Sequence, residues 1–225
     1  MNLFWVVMPW LPYYIGPGKL IEHCRFSNHA EMSRSRLAGG EFAKDGLPTA
    51  RLELTLESFD VDCFMESWFT LVSEKMRSAM ALDPTDVQYF EVDASRSARF
   101  PQSKHYQIMH IPVTEDVSDP NNSDYLSDHH PDGTITGASL AVAFRRDAEP
   151  KHEIFYDRFF KLLYCTDELA LRVLRAGCSG MRLFDPTRPF GGPASVFRTI
   201  RGLEHEEKWD PSRKILRTKL IQEMP

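Results

Sequence analysis

Cysteine is scarce in this 225-residue chain: Cys24, Cys63, Cys165 and Cys178 are the only four, and no two form a C-x-x-C pair. That spacing signals neither a zinc site nor the disulfide framework of a small secreted domain, so reduced, buried thiols are expected. No stretch approaches the roughly 20 consecutive apolar residues a membrane-spanning helix needs, and no membrane partner is expected. The run Met1 to Trp10 is apolar, but no basic segment precedes it and Pro9 and Pro12 interrupt it. It reads as a strand rather than a signal peptide, so an intracellular chain is expected. A phosphate-binding glycine loop is missing as well, since Gly191-Gly192-Pro193 lacks the Lys and Ser/Thr that a P-loop needs. No nucleotide or other cofactor is expected.

An excess of positive charge is also lacking. Lys and Arg total 27 against 32 Asp and Glu, for a formal net charge of −5 and a pI near 5.9. Nucleic-acid binding draws on clustered Lys and Arg to release counterions, so that class of partner is not expected. What is present is ordinary for a folded domain: 42% hydrophobic and 26% charged residues. At this length roughly 70% of the unfolded surface can be buried.

Local patterns set the fold class. Leu52, Leu54 and Leu56 alternate with Arg51, Glu53, Thr55 and Glu57, the period of a strand with one wet face. A capped helix followed by an apolar strand then occurs twice. In the first copy, Val72 to Asp93, Ser73 caps a helix that begins with Glu74 and carries Val72, Met76, Ala79 and Met80 on one face, and Val87 to Val92 follows as a strand. In the second, Cys165 to Pro186, Thr166 caps a helix beginning Asp167-Glu168, Leu169, Val173 and Ala176 share a face, and Gly177 supplies the stop. Met181, Leu183 and Phe184 fill the places of Val87, Tyr89 and Phe90 once one residue is inserted in the turn. Further strands are expected at His105 to Val113 and Ser139 to Phe144, with an aromatic run at Ile154 to Phe160. The pattern predicts an α+β fold: a mixed, largely antiparallel sheet with few helices and two similar helix–strand units.

The connection Thr114 to Gly137 reads as a long polar loop with Pro120, Asn121, Asn122, Pro131 and Gly133 as turn formers. From His105 through Phe144 there is no Lys or Arg, while Glu115, Asp116, Asp119, Asp124, Asp128 and Asp132 crowd the segment. These residues, with His129, are the expected partner-binding surface, suited to a basic protein.

Catalytic constellations are weaker. Asp128-His129-His130 matches the tripeptide of a family of metal-dependent phosphoesterases, and with Asp124 and Asp132 nearby it makes a metal-dependent hydrolase the alternative reading. The tripeptide follows a polar stretch rather than an apolar strand and lacks the Asp-x-Asp partners of that chemistry, so no metal is expected. His152-Glu153 and His205-Glu206 lack the second His of a zinc-protease helix and read as surface residues. Gly177-Cys178-Ser179-Gly180 fails the nucleophile-elbow spacing and reads as a turn. Arg213, Lys214, Arg217 and Lys219 alternate with Ile215, Leu216 and Leu220, as in an amphipathic element or a charge-guarded edge strand. Aromatics come in clusters, among them Trp5, Trp10, Tyr13, Tyr14, Phe64, Trp68, Phe69, Phe155, Tyr156, Phe159 and Phe160; most are expected in the core, though such residues also make binding hot spots.

Val72-Ser73-Glu74-Lys75-Met76, then Val87 to Phe90, then Tyr106, and finally Thr166-Asp167-Glu168-Leu169 with Ala176-Gly177-x-x-Gly180-x-x-Phe184 form an ordered series. The series resembles the Imm11 immunity-protein family of bacterial polymorphic-toxin and type VI secretion systems, formerly a domain of unknown function, over roughly Cys63 to Pro186. The resemblance implies a non-enzymatic cytoplasmic antidote that binds and neutralises a cognate toxin or effector protein. It divides the chain into an N-terminal lobe or extension, residues 1–58, and an immunity-type α+β domain, residues 59–225. A homo-oligomer is left open, and no functional residue carries over from the family.

Overall fold

The structure, a computed structural model, describes residues 4–9, 13–16, 19–22, 24–34, 41, 43, 46–54, 61–95, 104–129, 135–184, 203–210 and 215–222. From the N-terminus the chain forms β1 (Phe4–Pro9), β2 (Tyr13–Gly16), β3 (Lys19–Glu22), β4 (Cys24–Phe26), the short helix α1 (His29–Met32) and β5 (Ala50–Leu54). Next come β6 (Cys63–Glu66), β7 (Phe69–Ser73), α2 (Glu74–Met80), β8 (Gln88–Asp93), β9 (Tyr106–His110) and the two-residue β10 (Thr114–Glu115). The remainder is β11 (Asp124–His129), β12 (Ile135–Ala141), β13 (Ile154–Asp157), β14 (Leu163–Thr166), α3 (Asp167–Arg175), β15 (Met181–Phe184), β16 (Leu203–Asp210) and β17 (Ile215–Gln222).

Two principal sheets result, one of six strands in the order β4-β5-β8-β9-β7-β6 and one of five in the order β10-β13-β14-β1-β15. Pairing is antiparallel except between β5 and β8 and between β10 and β13. The chain is thus α+β with mixed, mostly antiparallel sheets, as its patterning predicts. Residues 1–58, expected as a lobe or extension, supply β1, which lies between β14 and β15, and also β4 and β5 of the other sheet.

The duplication is architectural. In each unit a hairpin leads into a capped helix, and the strand after the helix lies one place away from the hairpin, with a third strand running antiparallel between them. In the first unit β6 and β7 form the hairpin, and β9 separates β7 from β8. In the second, β13 and β14 form the hairpin, and β1 separates β14 from β15. Ser73 Oγ accepts the Met76 N–H at 3.2 Å, and Thr166 Oγ1 accepts the Leu169 N–H at 3.4 Å, each satisfying a first-turn donor that has no partner within its helix. The caps themselves are tied to the start of each hairpin: Ser73 N–H donates to Asp62 O at 2.8 Å and Thr166 N–H to Glu153 O at 2.9 Å. Helix α2 stops at Ala81, whose φ of 45° is left-handed, and α3 is followed by Gly177 at φ 63°.

Alternation along the strands of the six-stranded sheet sends residues into two cores. Phe64, Phe69, Leu71, Tyr106 and Ile108 join Cys24, Phe26, Met32, Ala50, Leu52, Leu54 and Val61 on one face. Cys63, Val72 and Met109 turn the other way, into a core shared with Met76 and Met80 of α2, Leu169, Val173 and Leu174 of α3, and Val7, Ile154, Cys165 and Leu183 of the second sheet. The two units therefore share one core. The edge strand β4 also approaches the β6–β7 hairpin: Cys24 Sγ lies 3.9 Å from Glu66 Oε2 of β6, and the Phe26 ring stacks edge-to-face on Phe69 of β7 at 5.8 Å.

The segment Thr114 to Gly137 is not a structureless loop. It holds β10, an isolated bridge between Ser118 and Phe144, and β11 paired with β12. Only the first half of the strand expected at Ser139 to Phe144 lies in β12, which starts earlier, at Ile135, and ends at Ala141; Phe144 forms the isolated bridge. The polar residues of β12 hid the alternation, and backbone pairing to a partner strand supplies what the side chains do not. The C-terminal alternating run forms β17 from Ile215 onward, paired along its length with β16, while Arg213 and Lys214 lie outside the described residues.

Candidate functional site

Glu115, Asp116 and Asp119 gather at one side of the five-stranded sheet, and each is engaged. Glu115 Oε1 accepts the Lys151 N–H at 3.0 Å and lies 3.6 Å from His152 Nε2, while His152 Nδ1 is 2.8 Å from Asp86 Oδ1. Asp116 pairs with Arg145 at 2.9 Å, and Arg145 also reaches Asp147 at 3.2 Å. Asp119 organises a turn, accepting from Asn121 N at 3.1 Å and from Asn122 Nδ2 at 2.6 Å. The Asn122 side chain, the Asn121 and Asn122 N–H groups and the nearby Arg145 hold the Asp119 carboxyl below the usual aspartate value against a desolvation cost. Asp124, Asp128 and His129 fall on β11, opposite Ala141, Thr136 and Ile135. Asp132 and His130 lie outside the described residues.

The cation-free stretch ends one residue before Arg145, and the structure folds Arg145 back among Asp116, Asp119 and Asp147. The acidic field is therefore partly neutralised, a feature invisible to a window that stops at Phe144. For the metal-hydrolase alternative, the described residues contain no group of three or more His, Cys, Asp or Glu placed to hold a metal ion.

Beside this segment the β13–β14 turn is held by a buried carboxylate. Asp157, 0% exposed, accepts the N–H groups of Ser118, Phe159 and Phe160 at 3.2, 2.9 and 2.6 Å. Arg158 N–H donates to Glu115 O at 2.8 Å, which brings the acidic strand and the turn together. Phe159 projects from this turn and remains 45% exposed. Of the other clustered aromatics, Phe64, Phe69 and Phe155 are buried and Tyr156 and Phe160 half-buried, while Trp10 and the side chains of Trp5, Tyr13 and Tyr14 lie outside what the structure describes. Trp68, at the tip of the β6–β7 hairpin, is 82% exposed.

The most interconnected polar site was not singled out by any motif. Asp62, 2% exposed, accepts from Ser73 Oγ at 2.8 Å and Lys104 Nζ at 3.2 Å through Oδ1, and from Ser179 N at 3.0 Å and Lys75 Nζ at 3.5 Å through Oδ2. Burial by itself raises the Asp62 carboxyl, but the Ser73 hydroxyl, Lys104, the Ser179 N–H and Lys75 together bring it below its ordinary value. A cleft of about 390 Å³ opens beside it, lined by Ser73, Glu74, Lys75, Ser78, Lys104 and His105. Lys75 and Lys104 are engaged by Asp62, so the arrangement joins two units rather than offering a free base or nucleophile. Nothing in the sequence announces it, because Asp62 and Ser179 are 117 residues apart.

Glu153 is the second unit's counterpart of Asp62. Arg172 grips it with Nη1 at 2.6 Å and Nη2 at 2.7 Å, and Nη2 also donates to Met80 O at 2.7 Å, at the carbonyl end of α2. Lys75 of α2 donates in turn to Gly177 O, just past α3. Each helix thus receives at its negative end a cation from the other. His152 and Glu153 are structural links, not the bare surface residues their motif suggested, while His205 and Glu206 fall on β16.

The Gly177-Cys178-Ser179-Gly180 turn is confirmed as a structural crossing. Cys63 N–H donates to Ser179 O at 2.9 Å, and a Cβ on Gly180 would lie 2.0 Å from Cys63 O. None of the four cysteines forms a disulfide, and all are buried. Burial pushes the Cys178 thiol up to about 11, with Asp62 adding to the rise, so it is no nucleophile at neutral pH.

A family model described as an immunity protein family (Imm11) matches residues 50–186. The matched span starts at the first residue of β5 and ends just past β15, covering both capped units; β1 and β4 lie outside it. No curated protein matches the chain.

Proposed function

Because the chain belongs to the Imm11 family of immunity proteins, we propose that it is an antidote that binds one cognate toxin or effector protein and neutralises it stoichiometrically, without catalysis of its own. Family membership over 137 of 225 residues, the span 50–186, carries this reading. The proposed setting is the cytoplasm of a bacterium that makes the toxin through a polymorphic-toxin or type VI secretion system. The proposed contact surface comprises Glu115, Asp116, Asp119, Asp124, Asp128, His129 and Asp132. Surface carboxylates of this kind act chiefly on association rate and specificity, and a stable antidote complex buries about 800 Å² on each side.

Co-expression with the adjacent-gene toxin tests the function. Cells carrying both survive and yield one complex on size-exclusion chromatography, whereas toxicity that persists without a complex overturns the reading. Reversing Asp116, Asp119, Asp124 and Asp128 together to Lys is expected to slow association at least tenfold at low salt, by the arithmetic of electrostatic steering. Unchanged affinity and association rate would remove the acidic surface while leaving the antidote reading intact.

A further inference from the structure

We infer that Trp68 is the aromatic anchor by which this chain grips its toxin, seated in an apolar pocket of that protein; the inference rests on the antidote reading. Tryptophan is on average a highly buried residue, and Phe64, Phe69 and Phe155 of the clustered aromatics are buried, yet Trp68 is 82% exposed. It occupies a two-residue turn whose flanking residues, Glu66 and Phe69, pair directly. The turn is also strained: Ser67 has φ 55°, in the left-handed region that glycine fills at positions 46, 177 and 180 and that Ala81 and Lys161 enter at other turns. An uncovered tryptophan and a strained serine at one tip both oppose stability, and such outliers gather where a surface is shaped for binding.

The tip is rigidly mounted. Phe69 is buried against Phe26, Phe64 stacks on Tyr106 with ring centroids 5.2 Å apart, and Glu66 lies beside Cys24. A pre-organised aromatic loses little freedom on binding, the property that makes Trp the residue type most enriched among interface hot spots. Its exposed area, on the order of 200 Å², is about a quarter of one side of a standard interface. The edge strand β4 comes up beside this hairpin, with Cys24 next to Glu66 and Phe26 against Phe69, and its exposed Arg25 pairs with Glu53 of β5 at 2.9 Å. Strand β4 lies outside the family-matched residues 50–186 and the hairpin inside them. The hairpin tip and the strand beside it thus come from different parts of the chain. The second unit repeats the device in weaker form, with Phe159 at the tip of its own hairpin.

The test measures binding of Trp68→Ala and Trp68→Phe to a catalytically inactivated form of the adjacent-gene toxin, with wild type alongside. Trp68→Ala is expected to raise Kd about 30-fold or more, the range of a hot spot, while Trp68→Phe stays within about tenfold. Both melt with the wild type. The wild-type minus W68F fluorescence difference shifts to the blue on toxin addition. A Kd for W68A within twofold of wild type, or an unshifted difference spectrum, overturns the anchor while the complex itself stands. Wild-type self-association abolished by W68A, with toxin affinity unchanged, reassigns the tip to a contact between copies. A wild-type protein that neither binds nor protects overturns the antidote reading and this inference with it.

Discussion

Replacing Asp62 with Asn tests the joint between the two units. Five donors converge on this carboxylate, including both the N–H and the hydroxyl of Ser179, at distances from 2.8 to 3.5 Å. Asparagine keeps one acceptor oxygen. With that oxygen on Ser73, the new amide N–H₂ faces the Ser179 N–H, donor against donor, and a buried charge-assisted bond worth about 1.5–3 kcal/mol is lost. Lys75 and Lys104 lose their counter-charge too, but their side chains are 50% and 27% exposed and water takes over part of that role. Their share is at most about 1 kcal/mol, for a total near 3 kcal/mol. In a chain of this length that lowers Tm by roughly 6–12 °C.

Urea unfolding followed by tryptophan fluorescence measures the difference, and its pH dependence supplies a second check. The folded-state pKa of Asp62 lies below its ordinary value. Its contribution is therefore complete above the unfolded pKa, about 3.9, and is lost as pH falls through the lower folded value. The Asn variant has no such proton to take up. The stability gap between the proteins is thus constant from about pH 8 to pH 5 and narrows below about pH 4. A gap under about 1 kcal/mol at pH 7, or one that does not narrow in acid, refutes the placement of Asp62 as the charged joint.

Gly180→Ala attacks the same crossing from the other side. At φ 86° with a Cβ 2.0 Å from Cys63 O and 2.4 Å from Val61 Cγ1, the strand must move, and a loss of about 3 kcal/mol or more is expected by thermal or urea unfolding. Arg172→Met removes the bidentate grip on Glu153 and the cap on Met80 O; with Arg172 37% exposed, about 1–2 kcal/mol is expected. In hydrogen exchange its effect falls on the amides at the end of α2 and the start of β13, and a uniform change across the chain would contradict the capping role.

The two capped helices, the alternating strand as far as Leu54 and the repeated helix–strand unit were legible because each depends on residues a few positions apart; Thr55 to Glu57 of that strand lie outside the described residues. Ser73 and Met76, or Thr166 and Leu169, meet within one turn whatever the rest of the chain does. The acidic segment was legible as composition only. Its neutralisation by Arg145 and the burial of Asp157 beneath its neighbouring turn depend on which strands lie side by side, and alternation states which face of a strand is wet without naming what opposes it. The same limit hid the exposure of Trp68, since an aromatic cluster reads identically whether a side chain points to the core or to water.

The sequence by itself determined the secondary-structure units, their duplication, the α+β class and the family, all carried by short-range capping, periodicity and ordered motifs. Only the tertiary structure decided that β1 enters between β14 and β15, that Asp62 meets Ser179 across 117 residues, and that a tryptophan stands uncovered at a hairpin tip. Those outcomes rest on long-range pairings, whose energies belong to two distant segments jointly and are written in neither alone.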